Sequence, residues 1–96
     1  MYVDFDPAKS EKNERERGLP FPAAARIFLG STVEWDDLRH KYGERRIIAV
    51  GMVQERPVKV VYTWRLHEVE GPFRWIISAH VASRKERRRY AAYFPE

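Results

Sequence analysis

Apolar residues recur with two different spacings along this 96-residue chain. In the second half they alternate with polar ones. Three segments, Arg45–Val53, Val58–His67 and Phe73–Val81, keep a period of two, which predicts strands. In the second segment Val58, Val60, Tyr62, Trp64 and Leu66 share one face, and Lys59, Val61, Thr63, Arg65 and His67 the other. In the third, Phe73, Trp75, Ile77 and Ala79 oppose Arg74, Ile76, Ser78 and His80. Pro57 stands at a strand entrance, where its missing N–H does little harm. The stretch Glu68–Gly71 supplies the hairpin turn. Closing the hairpin there brings Arg65 near Arg74. Like charges across a strand pair destabilise it unless an anion lies between them or both extend into water.

The first half has helical spacing. Asp6-Pro7 is a helix start, with Asp as the cap and Pro at the first helical position, and Gly18 is a natural stop. The predicted helix, Pro7 to Arg17, has only Ala8 as an apolar residue after the proline. A helix polar all round is marginal or held by something else, such as a partner. A second, short helix follows, with Phe21, Ala24, Ala25, Phe28 and Leu29 on one face and Gly30 at its end. A short strand in "STVEWDD" and a charged loop in "LRHKYGE" lead to the three long strands. "YVDF" at the start reads as an edge strand. Ser83 and Glu86 form a capping box that opens a basic final helix. The order (β)-α-α-β-β-β-β-α makes the chain α+β: two N-terminal helices, a mostly antiparallel sheet of three to four strands, and a C-terminal basic helix.

Composition narrows the choice of function. The length fits one domain, residues 1–96, burying roughly 60–70% of its unfolded surface. There is no cysteine, which removes disulfides and thiolate metal sites and agrees with a cytoplasmic location. The N-terminus does not read as a secretory signal, and no apolar run approaches the ~18–20 residues of a membrane helix. Charge is uneven. Residues 1–44 hold seven Lys/Arg and nine Asp/Glu, a net of −2; residues 45–96 hold eleven and five, a net of +6; together they give +4. A basic half points to a polyanionic partner or to a solvated face.

Candidate chemistry is sparse. His40, His67 and His80 make no metal-ligand motif, and no phosphate loop or nucleophile elbow occurs, so neither metal nor cofactor is expected. His40 lies between Asp37 and Glu44, a setting for a general base or acid or simply for a loop histidine. Arg84, Lys85, Arg87, Arg88 and Arg89 crowd the start of the last helix, where they extend the charged face carrying Arg65 and Arg74. Arginine grips phosphate in a two-pronged way that lysine does not match.

Taken in order, "FDPAK…N…RG…F…A…F", "DLRHKYGERRIIAVG", "VVYTWR" and "IISA-x-x-A-x-x-x-E-R-x-x-Y" resemble the BrnT toxins of bacterial type II toxin–antitoxin pairs. The resemblance runs from Phe5 to Tyr90. It implies a RelE-like α+β fold, ribonuclease activity that shuts down translation, and neutralisation by a BrnA-like ribbon-helix-helix antitoxin that binds DNA. The family pattern falls on Asp6, Lys9, Asn13, Asp37, His40, Glu44, Arg46, Thr63, Arg65, Ser78, Ala79, Glu86, Arg87 and Tyr90. There are two departures from it: Glu16-Arg17 where the family usually has Lys-His, and His80 where it often has Arg.

RNA carries its own nucleophile, the 2′-hydroxyl, so a nuclease of this kind needs only a base, an acid and cations on the phosphorane. The expected assignment has Arg65, Arg46 and Arg74 on the phosphate. His40 or Glu44 is the base, and His80 or Lys9 the acid. Arg84, Arg87 and Arg88 would extend the RNA contact. The alternative is a non-catalytic RNA- or ribosome-binding module, or an antitoxin-binding protein that has lost nuclease activity.

Overall fold

The computed structural model describes residues 2–95. Its elements are β1 (Val3–Phe5), α1 (Pro7–Arg17), α2 (Phe21–Ala24) continued by a 3-10 turn (Ala25–Leu29), β2 (Thr32–Asp36), β3 (Ile47–Val53), β4 (Arg56–His67), β5 (Gly71–Val81) and α3 (Arg84–Tyr93). The strands form one sheet in the order β1-β5-β4-β3-β2. The sheet has five strands rather than the three to four expected, and it is mixed. The three hairpin pairings are antiparallel, but β1 runs parallel to β5, with Val3 opposite Arg74 and Phe5 opposite Ile76. Three residues of alternation carry no sign of direction, so that pairing could not be read from the chain.

The sheet's two faces differ. Ile47, Ala49, Val58, Val60, Tyr62, Ile76 and Ala79 form the core, together with Leu19, Phe21, Ala24 and Ile27 from the N-terminal helical segments. Gly51 lets Ile27 approach closely: a Cβ there would stand 2.8 Å from the Cβ of Ile27. The expected apolar face of the second helix is only partly realised. After Ala24 the chain tightens to 3-10 geometry, which aims Ile27 inward and leaves Leu29 exposed.

A register shift in the β4–β5 ladder corrects the predicted faces. Val61 pairs with Ser78, but Tyr62 pairs with Ile76, so Ile77 is an extra residue. Beyond this bulge the alternation of β5 changes phase, and Ile76 joins Ala79 in the core. Arg74 therefore sits opposite Trp64 on the helix-covered face, whereas Arg65 sits opposite Phe73 on the other face. The expected juxtaposition of Arg65 and Arg74 does not occur.

The polar helix α1 is held within the chain. Asp6 caps its start and Gly18, at φ 65°, its end. Its two buried side chains are polar. Asn13 Nδ2 donates to the carbonyls of Leu19 (2.6 Å) and Ala79 (3.0 Å), and Ser10 Oγ accepts from Phe21 N (3.0 Å). Hydrogen bonds replace the apolar stripe that a docked helix normally buries.

Candidate nucleic-acid interface

The face opposite α1 and α2 is only partly covered. Cross-strand partners share a face, so Trp35, Ile48, Val61 and Ser78 form one row across it, and Lys59 and His80 another. Thr63 and Trp75 continue the pattern toward the β4–β5 hairpin. Two walls rise from this floor. One is α3, which leaves the end of β5 and crosses toward β2. The other is the loop between β2 and β3. A cleft of about 410 Å³ lies between them, lined by Trp35, Asp37, Arg39, Ile48, Ser83, Lys85, Glu86 and Arg89 among others.

The wall made by α3 is attached through charge. No residue of α3 is buried. The Ser83–Glu86 capping box forms as the sequence predicts, Lys59 Nζ meets Glu86 Oε2 at 3.1 Å, and the Arg89 guanidinium lies 3.9 Å from the Trp35 ring centroid.

The loop wall is organised by Asp37, whose side chain is almost fully buried. Its carboxylate accepts from Arg39 Nε (2.8 Å) and Nη2 (2.7 Å), from Arg39 N (3.2 Å) and from the Tyr42 hydroxyl (3.1 Å). The Arg39 hydrogen bonds hold that carboxyl well below the usual carboxylate range, against the effect of burial. The Tyr42 ring in turn lies under the Arg46 guanidinium, 4.0 Å from centroid to Cζ. Arg46 adjoins Ile47, the partner of Tyr62, which places it beside Thr63; Thr63 Oγ1 donates to Arg45 O at 2.7 Å. Two residues further along β4, Arg65 stacks on Trp75 at 4.3 Å.

His80 lies on the floor beside Lys59. Burial lowers its pKa from the ordinary histidine value, and the positive charges of Arg17, Lys59 and Arg39 lower it further, with Glu86 opposing. The shift favours the neutral imidazole, the form that accepts a proton.

The sequence-derived residues are not gathered at one point. Lys59, the partner of His80, and Thr63 are four strand residues apart, about 13 Å, and Arg65 lies two beyond. Arg46 and Arg65, with Arg39 on the loop wall, therefore lie along a stripe of this face and not around the single point expected. Arg74 is outside it, enclosed by the rings of Phe28, Tyr62 and Trp64 at 4.3, 5.2 and 4.7 Å. The Tyr62 hydroxyl beneath it donates to Glu34 and is pushed up to about 12, mainly by burial and then by that carboxylate. Arg84, Arg87 and Arg88 line a separate groove with Met52, Pro57 and Phe94. Lys9 is exposed on α1, in a groove that also includes Arg17, Ile77 and Ser78 along the edge of β5. His40 is exposed and meets Tyr42 edge-on at 5.6 Å, and Glu44 reaches Arg46 at 3.4 Å. Sequence reasoning did not single out Arg39, which lines the cleft. Its signal was the spacing Asp37-x-Arg39, which lets a buried carboxylate grip the guanidinium two positions on.

Among the described residues no three His, Cys, Asp or Glu side chains group as they would around a metal ion, and no helix is long and apolar enough to cross a membrane. A comparison with curated proteins finds no match. A family model described as "Ribonuclease toxin, BrnT, of type II toxin-antitoxin system" matches residues 5–86, well over half of the chain. The partly open basic face thus belongs to a member of the BrnT family of ribonuclease toxins.

Proposed function

We propose that this toxin is a metal-independent endoribonuclease that draws single-stranded RNA across the face opposite its N-terminal helices and so inhibits translation. One observation supports this most: three arginines on that face each lie on an aromatic ring, Arg65 on Trp75, Arg46 on Tyr42 and Arg89 on Trp35. Cations interleaved with rings suit a strand that offers phosphates and base faces in alternation. In the proposed reaction neutral His80 takes the proton of a 2′-hydroxyl. The 2′-oxygen bonds to the adjacent phosphorus, the bond to the 5′-oxygen breaks, and that oxygen leaves with a proton drawn from water. Guanidinium groups along the stripe stabilise the charge on the phosphorane. The partner fits a BrnA-like ribbon-helix-helix antitoxin, and the setting is the cytoplasm.

The test is cleavage of RNA in EDTA. His80→Ala is expected to slow it by about 10²–10⁴-fold, the usual worth of a general base. Arg65→Ala is expected to slow it by about 10²-fold. The rate should rise with pH through a midpoint below the ordinary histidine value. Equal cleavage by wild type and Arg65→Ala, or a strict metal requirement, would refute the mechanism. The departure at His80, where the family often has Arg, favours one competing reading, a binding module without catalysis. Salt-dependent RNA binding with no cleaved product would establish that instead.

A further inference from the structure

The loop between β2 and β3 contains a buried negative charge inside a surface that attracts anions. On electrostatic grounds alone such a charge weakens RNA binding. Its surroundings show what it does. The Asp37 carboxylate receives two guanidinium N–H bonds and one backbone N–H bond from Arg39, and the Tyr42 hydroxyl. Its own backbone N donates to Arg46 O at 2.8 Å, tying the loop's two ends together. Using Nε and Nη2 on Asp37 leaves the other edge of the Arg39 guanidinium unused by that pair, and the Arg39 side chain is 58% exposed. Tyr42, held by the same carboxylate, supports Arg46 from below.

We infer that Asp37 is a positioning residue that fixes Arg39 as a phosphate contact and, through Tyr42, sets the place of Arg46 on the same stripe. This rests on reading the open face as an RNA track. Its physical content is preorganisation: an arginine ordered before the ligand arrives loses less freedom on binding.

The experiment measures binding of a 2′-O-methyl RNA oligonucleotide, which has no free nucleophile, over a range of salt concentrations. Cleavage of unmodified RNA by the wild type is run alongside. Arg39→Ala should flatten the slope of log affinity against log salt by about 0.7, one phosphate on a single strand, and weaken binding about fivefold at 0.1 M salt. Asp37→Asn removes a negative charge from the protein, yet should weaken binding by about two- to tenfold, the cost of ordering a freed side chain. Arg39→Lys keeps the charge and the slope but cannot bridge the carboxylate, and should also bind more weakly. Tighter binding by Asp37→Asn would show that the carboxylate acts only as a repelling charge, and would overturn the inference. So would an unchanged slope in Arg39→Ala, or wild-type affinity in Arg39→Lys, which decides the matter even where Asp37→Asn fails to melt cooperatively. Absence of wild-type cleavage would remove the nuclease reading, while the three binding comparisons would still decide the role of Asp37. Absence of wild-type binding would overturn both.

Discussion

Replacing Asn13 by alanine removes the main tie between α1 and the sheet. The side chain is 5% exposed and donates to two backbone carbonyls, those of Leu19 and Ala79, on residues that are themselves buried. Each orphaned buried acceptor costs about 1–3 kcal/mol, so a value in the lower half of that range, about 1.5, gives about 3 kcal/mol for the pair. Alanine returns about 0.6 kcal/mol through its better helix propensity. The net loss is about 2.5 kcal/mol. For a domain of this size that lowers the melting temperature by roughly 10–20 °C. Thermal unfolding followed by circular dichroism measures it. Asn13→Asp sharpens the test, because an ionised carboxylate faces the same two carbonyls with no proton to give. Protonated, it can donate to one of them, which favours the neutral form against the Arg17 guanidinium that bonds the other side-chain oxygen at 2.9 Å. The penalty of Asn13→Asp should then be smaller near pH 4 than near pH 7, whereas a simple packing defect would be pH-independent. A melting temperature for Asn13→Ala within about 3 °C of wild type would refute the reasoning.

Three further outcomes are expected. Gly51→Ala would press a Cβ against Ile27 Cβ, Thr32 Cγ2 and Ser31 O at 2.8, 3.1 and 3.3 Å, and should cost about 1–3 kcal/mol in chemical denaturation. Glu86→Gln breaks the ion pair with Lys59 and weakens the α3 cap, so amide exchange in α3 should quicken with little change in the core. Because the folded-state pKa of Glu86 is lowered by its bonds to Ser83 and Lys59 in spite of burial, its contribution is present above the ordinary glutamate value and is lost as pH falls through the folded value. Arg74→Ala should lower stability by loosening the ring enclosure but leave the salt slope of RNA binding unchanged, since it lies on the opposite face; a flatter slope would contradict that placement.

The helix boundaries were legible because their signals are local. Asp6-Pro7, Gly18 and the Ser83–Glu86 box each act within one turn. The three long strands were legible from alternation, to within two residues at each end. The phase of β5 was not. Trp75, Ile76 and Ile77 are consecutive apolar residues, so either parity satisfies the pattern, and only the pairing with β4 shows which residue is the extra one. That ambiguity put Arg74 on the wrong face. The anchoring of α1 was hidden for a related reason: Asn13 looks like one more polar residue until Ala79, 66 positions away, supplies its acceptor. Arg39 was obscured because loop residues have no period, and its meaning depends on the burial of Asp37.

A helix with no fully buried residue is fastened like a latch, not welded like a beam. Since an ion pair and a cation on a ring are among the ties that hold α3, beside the Tyr90 hydroxyl on Ser31 O, dissolved ions compete for its fastenings as well as for the ligand. Raising ionic strength should widen the mouth of the cleft at the same time as it thins the counterion-release contribution to affinity. Activity would then fall with salt more steeply than the number of phosphate contacts alone accounts for.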